Sequence, residues 1–393
     1  MPDIVSDFLA KHALGLTDAR RTDAVIVFDG VDVTDDLSKY LISVEYKDNE
    51  GTDEADSLKI TLQDKENNWT GNWLNQIYDS AVRNHIDPSL TEMRIEAFFI
   101  RRNWTEPGVN DFLYCGSFNV DDIHGEKGPN TVTISATSLP YTGGKQLPRT
   151  RLWENTTLKD AGQAIARECG LQYMYLPLSN PALYSEQRNE TDAAWLARVC
   201  RALGNYNLKF TAGAVVIYNP TEKKVGDPID INEKDCFPAS MDTGRAKTEY
   251  TSCRVWYTTP KGQLYEGRAY IKDYKPESKK NTELSLNLKV SSSSEAQKRA
   301  EYELARANSY AKTGSLTMPG NPQLVGGMEV ELWGFGLWDG SYIAAQTTHT
   351  VDGRGGYKTS VNIRWNDIRQ RPRTLLERIV KGGEALTAGK VNA

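Results

Sequence analysis

Apolar and polar residues alternate with a period of two along much of the first third of the chain. Segments 42–46 and 58–62 both show this alternation, and an acidic turn separates them. A period of two places one face of a strand in a core and the other face in solvent. Further β-patterned segments lie at 24–28, 93–100, 112–120 and 131–135. The pattern therefore predicts at least six strands in this region.

The spacing of apolar residues becomes helical in residues 147–225. Thr157 and Asp160 have the spacing of a capping box at a helix N-terminus, and Thr191 is predicted to begin a second helix. A glycine follows each helical stretch, as is common where helices end. Two short strands are predicted next, at 208–211 and 215–218. This region is expected to form a compact α/β module.

The β pattern returns from about residue 226 and is expected to continue to residue 368. The turn Pro260–Gly262 lies between two β-patterned segments and predicts a hairpin. Ser294 is predicted to cap a helix near 295–311, which is rich in Ala, Glu and Arg. The whole pattern predicts a mainly β (α+β) fold.

Two stretches of the chain read as variants of one another. The first contains Met93–Glu96, Gly116–Phe118, His124 and Thr131–Ile134. The second contains Met328–Glu331, Gly340–Tyr342, His349 and Ser360–Ile363. Such a repeat is typical of a duplicated β module, and two unrelated hairpin regions are the alternative interpretation. With two equivalent modules in each chain, a threefold assembly would have approximate sixfold symmetry.

The composition is that of an ordinary globular protein and indicates no nucleic-acid partner. The chain has 393 residues, enough for two or three domains, and its net charge is −5. The five cysteines are scattered and form no CxxC pair, which is typical of buried thiols in a reducing compartment. The sequence shows no secretory signal and no apolar stretch long enough to cross a bilayer. We therefore expect no membrane contact by this chain and no specific nucleic-acid binding.

The sequence contains none of the common catalytic motifs. No phosphate-binding loop, HExxH motif or GxSxG elbow occurs, and the four histidines have no partner at metal-ligand spacing. His124 and His349 occupy matching repeat positions and are expected to share a structural role at a strand end. Glu329 and Glu331 share a strand face, which is interpreted as a solvated surface rather than a glycosidase site. We therefore predict no catalytic residues, no metal site and no cofactor.

A basic tail follows the last predicted strand. Basic residues without interleaved aromatic residues are a weak signal for nucleic-acid binding, so a helix that docks on another protein is the preferred interpretation. The candidate protein-interface residues are Arg369, Arg371, Arg373, Leu375, Leu376 and Ile379.

Three blocks of the sequence resemble one known family. The first, Ile42–Asp64, contains a strand, an acidic loop and an Ala-Asp-Ser-Leu strand, and the second is Gly116–Asp122. The most specific block, Leu158–Gly204, contains a helix ending in Gly-Leu, a Gln-x-x-Glu-Thr-Asp segment and a helix with a Trp-Leu pair and an Arg. These blocks are similar to the phage late control protein D family, the baseplate hub of contractile tails. That family is related to the N-terminal part of type VI secretion spike proteins and to the hubs of R-type tailocins.

The resemblance covers roughly residues 24–366 and includes departures from the family pattern. The gap between Gln187 and Glu190 is one residue shorter here than in the family. The fused spike of type VI proteins and a lysozyme-like segment are not found in the sequence. We therefore expect a separate spike protein and no cell-wall cleavage by this chain.

The resemblance implies two tube-type antiparallel β-barrels with an inserted small α/β module. The predicted domains are an N-terminal arm (1–22), a first barrel (23–146), the α/β module (147–225), a second barrel (226–368) and a C-terminal tail (369–393). The implied assembly is a homotrimeric structural hub that matches a sixfold tail tube on one face to a threefold spike on the other. Such a hub would also nucleate the tube and contact other baseplate proteins.

The resemblance also implies a location in the baseplate of a virion or phage-tail-like particle, after synthesis in the bacterial cytoplasm. Two other functions stay open on the sequence alone. One is a peptidoglycan-processing hub enzyme, which requires a cleft with paired carboxylates. The other is a carbohydrate-binding β protein, suggested by the nine tryptophans, although Trp195 and Trp365 lie on apolar faces and are expected to pack in a core.

Overall fold

The structure is a computed structural model that describes residues 19–366, apart from 52–54, 66–92, 139–146, 205, 212, 220–226, 245–249, 272–273, 279–280 and 355. Most of the predicted N-terminal arm (1–22) and the predicted tail (369–393) lie outside these residues. The candidate interface residues of the tail lie outside them as well: Arg369, Arg371, Arg373, Leu375, Leu376 and Ile379.

A first β module is formed by the residues before 138. Its elements are β1 (Arg21–Phe28), β2 (Val31–Asp32), the short helix α1 (Thr34–Ser38), β3 (Leu41–Asn49), β4 (Ser57–Gln63), β5 (Arg94–Arg102), β6 (Asn110–Glu126) and β7 (Thr131–Thr137). The strands lie in the spatial order β3-β4-β7-β6-β5-β1-β2. The alternating apolar residues of these strands converge on one core, which includes the fully buried Ile60, Ile95 and Phe118. Burying one such side chain contributes about 1.5–3 kcal/mol.

An α/β module follows and confirms the helical spacing of the sequence. Its elements are β8 (Arg149–Thr157), α2 (Leu158–Glu168), β9 (Gln172–Tyr175), β10 (Ala182–Glu190), α3 (Asp192–Leu203), β11 (Asn207–Thr211) and β12 (Ala214–Tyr218). Both predicted caps are present, because the Thr157 hydroxyl accepts from the Asp160 amide and the Thr191 hydroxyl accepts from the Ala194 amide. Sequence reasoning did not anticipate strands β8 and β10, which pair with each other.

The remaining elements form a second β module and an insert. They are β13 (Ile229–Asn232), β14 (Ala239–Thr243), β15 (Ser252–Thr258), β16 (Leu264–Tyr270), β17 (Glu283–Asn287), α4 (Ser293–Asn308), β18 (Lys312–Pro319), β19 (Glu329–Trp333), β20 (Gly340–Asp352) and β21 (Tyr357–Trp365). The second β module comprises β13, β14 and β18–β21. The insert comprises β15–β17 and α4, which have a sheet and a core of their own.

The N-terminus of α4 differs from the prediction. The cap is Ser292 rather than Ser294, because the Ser292 hydroxyl accepts from the Glu295 amide. The Glu295 carboxylate in turn accepts from the Ser291 amide at 2.8 Å. Four successive serines offered equivalent caps in the sequence, and the position of Glu295 selects among them.

The two β modules have the same strand order. The first runs β3-β4-β7-β6-β5-β1, and the second runs β14-β18-β21-β20-β19-β13. Each strand of one module therefore has a counterpart at the same place in the other. The two differ in their last strand, since β1 is antiparallel to β5 whereas β13 is parallel to β19. The mainly β fold is confirmed.

The register of the two modules agrees residue by residue. Glu96 lies opposite Ser117 in the first module, and Glu331 lies opposite Ser341 in the second. These are the residues that the repeat had aligned. The equivalence therefore extends from strand order to individual cross-strand pairs.

A shared irregularity strengthens the equivalence. β6 has a bulge between Val120 and Asp122, and β20 has one between Ala344 and Gln346, four residues after the matched serine in each case. Beside these bulges, the Val120 amide donates to the Met93 carbonyl at 2.9 Å and the Ala344 amide donates to the Met328 carbonyl at 2.8 Å. β-bulges tend to be retained at the same position among related proteins. A bulge at the same position in both modules therefore indicates a duplicated module rather than two unrelated hairpins.

The structural register also corrects part of the repeat as read from the sequence. Counting from the shared bulge, His124 corresponds to Thr348 and not to His349. In the last strand, Ile134 corresponds to Val361 and not to Ile363. The shift in the last strand is two residues, which leaves the alternation of faces unchanged, so the sequence pattern could not detect it. The shift at the histidines is one residue, so His124 and His349 lie on opposite faces of their strands.

Candidate assembly interface

The two β modules are joined by a strand pair that we call the internal ladder. Residues Gln346–Asp352 of β20 pair antiparallel with Ser43–Asn49 of β3. The preceding residues of the same strand, 340–343, pair with β19. β20 thus spans both modules, and the 13-stranded sheet continues from one to the other.

His349 lies at the centre of the internal ladder and is fully buried. Its Nε2 lies 2.9 Å from the Leu324 carbonyl, and its Nδ1 lies 2.9 Å from the Tyr357 hydroxyl. Since a carbonyl only accepts, the proton sits on Nε2, and Nδ1 accepts from the hydroxyl. Burial lowers the pKa of the His349 imidazole to about 4. The ring is neutral and stacks on Tyr46 with centroids 6.0 Å apart, so its role is in packing.

His124 has a different environment, because its side chain is exposed. The expected common role of the two histidines is therefore wrong. The two histidines differ by one residue in the structural register, so they point to opposite faces of equivalent strands.

A buried charge cluster holds the internal ladder to the α/β module. Lys209 of β11 pairs with Asp48 of β3, and its Nζ lies 3.9 Å from Asp56 Oδ2. The second oxygen of Asp48 accepts from the Gly326 amide at 3.0 Å, which adds a loop of the second β module. The cluster therefore connects all three parts of the chain.

The cluster holds two carboxylates for one ammonium group. Burial raises the pKa of the Asp56 carboxyl to about 7, because the lowering effect of Lys209 only partly offsets the desolvation. The pKa of Lys209 is raised because Asp48 and Asp56 outweigh its burial. The ammonium group is therefore charged at neutral pH.

A second polar link lies beside the first. Arg364 of β21 forms a two-armed ion pair with Glu50, and its Nε donates to Glu50 Oε2 at 3.0 Å. The Tyr218 hydroxyl of the α/β module donates to the Glu50 carbonyl at 2.6 Å. These bonds fix the end of β3 against both neighbours.

The sequence block Leu158–Gly204, which carries the most specific part of the resemblance, contains a buried hydrogen-bond network within the α/β module. Gln187 is fully buried, and its Nε2 donates to Asp192 Oδ1 at 2.8 Å. Arg151 donates to the same carboxylate oxygen at 2.6 Å and to the Gln187 carbonyl oxygen at 2.9 Å. The network ties β8 and β10 to the start of α3, so these residues determine architecture.

The two glutamates of β19 do not form a solvated surface, as the sequence had suggested. Glu329 is 8% exposed and Glu331 is 5% exposed. The Ser341 hydroxyl donates to Glu329 Oε1 at 2.9 Å. Both side chains are therefore buried, which alternation along one strand could not reveal.

The two tryptophans expected in a core differ in their burial. Trp195 is fully buried and stacks on Trp153, with centroids 4.6 Å apart. Trp365 is half-buried against Tyr342, and the Lys312 ammonium lies 3.9 Å from its ring centroid.

The described residues contain no group of three or more His, Cys, Asp or Glu side chains arranged to hold a metal ion. All five cysteines are free, and three of them are buried. Within the described ranges, no helix is both long and apolar enough to span a membrane.

Two strand edges of the large sheet stand at places where the internal ladder has a pairing strand, and no described strand pairs with them. One belongs to β14, which ends the path of the large sheet and has an exposed side chain at every position except Met241. The other belongs to residues 121–126 of β6, where β5 no longer follows the strand. Phe237, two residues before β14, is 91% exposed. Sequence reasoning missed both edges, although their places in the repeat could have indicated them.

No protein-family model matches this sequence. The protein named Probable baseplate hub protein of Escherichia phage P2 is 28% identical over 186 residues, which is 46% of this chain and 41% of that relative. The protein of the same name from Escherichia phage 186 is 26% identical over 177 residues, which is 44% of this chain and 39% of that relative. The chain therefore matches about two fifths of the length of these curated relatives.

Solved structures share the fold over most of the chain. The tail protein from Neisseria meningitidis MC58 has a TM-score of 0.60 at 12% identity, covering 88% of this chain and 98% of that one. The 43 kDa tail protein of prophage MuSo2 from Shewanella oneidensis has a TM-score of 0.58 at 14% identity, covering 88% and 99%. Identities this low show the fold alone. The predicted resemblance is confirmed: the sequence is similar to phage baseplate hub proteins over nearly half of its length, and the chain has the fold of these tail proteins.

Proposed function

We propose that this protein is the structural hub of a contractile-tail baseplate and assembles as a homotrimer. The observation that supports this proposal is the duplicated β module, with one strand order, one register and one bulge in both copies. In this proposal each module is a tube-type barrel. The first spans residues 23–146, the second lies within 226–368 and is interrupted by the insert, and the α/β module spans 147–225.

The duplication would allow one ring to contact two partners of different rotational symmetry. Three chains with two like-shaped modules each present six similar units around one axis. Such a ring is sixfold in shape and threefold in sequence, so it can contact a sixfold tube on one face and a threefold spike on the other. Repeated contacts of this kind bury large, partly apolar areas. The ring would therefore also nucleate the tube.

The proposed place of the protein is the baseplate of a virion or phage-tail-like particle. The α/β module lies toward the spike in this proposal. The tail residues Arg369, Arg371, Arg373, Leu375, Leu376 and Ile379 are proposed to contact another baseplate protein.

The proposed role is structural and not enzymatic. The buried carboxylates of the described chain serve in packing, since Asp192 bonds Gln187 and Arg151, and Asp48 pairs with Lys209. These groups join elements of the fold and do not face one another across an open cleft, as glycosidase carboxylates must.

The assembly is tested by measuring the mass of the purified chain in solution and then imaging it. We expect three copies in a ring with an open central channel. A stable single chain, or a ring of another order, would contradict the trimer. A zymogram on intact cell walls tests the structural role, and a cleared band absent from a blank preparation would favour the hub enzyme instead.

A further inference from the structure

We propose that the β14 edge of one chain pairs with residues 121–126 of β6 in a second copy of this chain. The pairing is antiparallel, with His124 opposite Asp242. This inference rests on the proposed ring of hub chains and specifies the strands that close it.

The internal ladder provides the geometry. Within one chain, β20 extends beyond β19 and pairs with β3, the end strand of the other module. The counterpart of β20 is β6, and the counterpart of β3 is β14. A junction between modules of two chains that repeats the junction within one chain therefore joins β6 to β14.

The register of the second junction follows from the first. The shared bulge makes Thr348 equivalent to His124, as shown above. The pairing partners of β4 and β18 make Lys47 equivalent to Asp242. Because Thr348 lies opposite Lys47 in the internal ladder, His124 is placed opposite Asp242.

Both strand edges are open in the described part of the chain. β14 pairs with β18 along one side, and no described strand pairs with its other side. Residues 122–126 of β6 pair with β7 along one side, while β5 follows the other side only as far as Asn119. Unpaired strand edges of this kind readily pair with another chain.

The side chains of the two edges suit one another in this register. The pairing sets an imidazole against a carboxylate at His124 and Asp242, and both side chains are exposed in the single chain. On the opposite face, Ile123 is opposite the partner's Thr243 and diagonal to the partner's Met241. Ile123 and Met241 each already contact the apolar core of their own module. The ladder would thus have one exposed polar face and one face turned toward the module cores.

The contact joins two different edges and is therefore heterologous. A heterologous contact gives a ring when its rotation closes and an open filament when it does not. The exposed aromatic side chain of Phe237 lies two residues before β14 and would be covered by the neighbouring chain.

The register is tested by disulfide formation in the full-length double variant His124→Cys, Asp242→Cys. Directly opposed residues in an antiparallel pair have Cα atoms about 4.5–5.5 Å apart, which a disulfide can span. Mild oxidation should give covalent species of two and three chains on a non-reducing denaturing gel. Both positions are exposed, so the variant is expected to fold. The unmodified chain, which has free cysteines of its own, is oxidised in parallel.

Two matched variants make the result specific. The double variant Lys47→Cys, Thr348→Cys places the same chemistry in the internal ladder and should give only a disulfide within one chain. The variant His124→Cys, Ser240→Cys is displaced by two residues, where Cα atoms are about 7–8 Å apart, so its disulfide should form about tenfold more slowly or not at all.

The possible outcomes separate this inference from the proposed function. A three-chain mass without a disulfide between positions 124 and 242 would overturn the strand pairing but leave the trimer. Disulfide-linked dimers of Asp242→Cys alone would also overturn it, since two β14 edges would then face each other. A single-chain mass with no product between chains would overturn both proposals.

Discussion

The two β modules have the same strand order, but they cover their equivalent strands differently. In the second module, the end of β20 is buried against β3, and Thr347 and His349 are fully buried there. The equivalent residues of the first module are Ile123, which is half-buried, and Gly125, which is exposed. Burial of side chains at equivalent positions therefore depends on what covers the strand and not on the strand order alone. One strand end is covered within the chain, and the other is left for a neighbour.

The modules also differ in what lies next to their equivalent edge strands. β3 provides Asp48 for the buried cluster with Lys209, whereas the equivalent residue of β14 is Thr243. The Thr243 hydroxyl accepts from Trp338 Nε1 at 2.8 Å. A buried charge is thus present where the junction is fixed within one chain and absent from the open edge.

The largest change in unfolding free energy is expected for substitutions in the cores of the two β modules, and these substitutions test whether the cores are equivalent. Phe118 and Tyr342 occupy matching positions and are both fully buried. Replacing either with Ala should lower the free energy of unfolding by about 3–5 kcal/mol, because each leaves a cavity. Chemical unfolding of each variant measures this. The control Tyr184→Ala removes an aromatic side chain that is 76% exposed and should change the free energy by less than about 1 kcal/mol. Unequal losses at the two core positions would show that one module contributes little to stability.

A second substitution tests the buried cluster, which has no counterpart at β14. Lys209→Met leaves Asp48 and Asp56 buried without their cation, so it should lower the free energy of unfolding by about 3 kcal/mol. Thermal or chemical unfolding at pH 7 measures the loss. Lys47→Met, on the same ladder but only half-buried, should change stability by about 0.5 kcal/mol or less. Equal effects of the two substitutions would contradict the role assigned to the cluster.

The pH dependence of stability distinguishes two buried groups of the internal ladder. The pKa of Asp56 is raised in the folded chain, so its contribution is present at low pH and is lost as the pH rises through about 7. The pKa of His349 is lowered, so its contribution is present above about 6.5 and is lost as the pH falls toward 4. The two groups therefore act in opposite directions between pH 4 and 6.5.

Neutral substitutions separate these two contributions. Asp56→Asn should remove stability that declines with rising pH, and His349→Gln should remove stability that declines with falling pH. Each should change the slope of unfolding free energy by up to about 1 kcal/mol per pH unit, measured by chemical unfolding from pH 4 to 7.5. Slope changes of the same sign in both variants would refute the assignment.

The smallest change in unfolding free energy is expected for a substitution in β14, the edge strand that no described strand covers. Asp242→Lys should change the free energy of unfolding by no more than about 0.5 kcal/mol, since the residue is exposed. It should nevertheless weaken assembly by about tenfold, because it places a cation opposite His124 at each junction. Sedimentation over a concentration series measures the assembly. The variant Asp227→Lys, outside β14, is the control, and equal weakening by both substitutions would point to net charge and not to the strand pair.

The residue pattern alone determined the elements that depend on local chemistry. Thr157 and Thr191 cap their helices as predicted, because a hydroxyl at that position satisfies an amide without help from the rest of the chain. The repeat was also recognisable, since both copies must present apolar residues to a core at the same spacing. The resemblance to hub proteins rested on a motif whose residues form one compact network, centred on Gln187 and Asp192.

Features that depend on residues far apart in the sequence are visible only in the tertiary structure. Burial of Glu329 and Glu331, burial of His349 beside β3, and the cluster at Lys209 all follow from strands brought together from far along the chain. The alternation of a strand has a period of two and therefore records which face a residue is on. It does not record whether another strand, another module or another molecule covers that face.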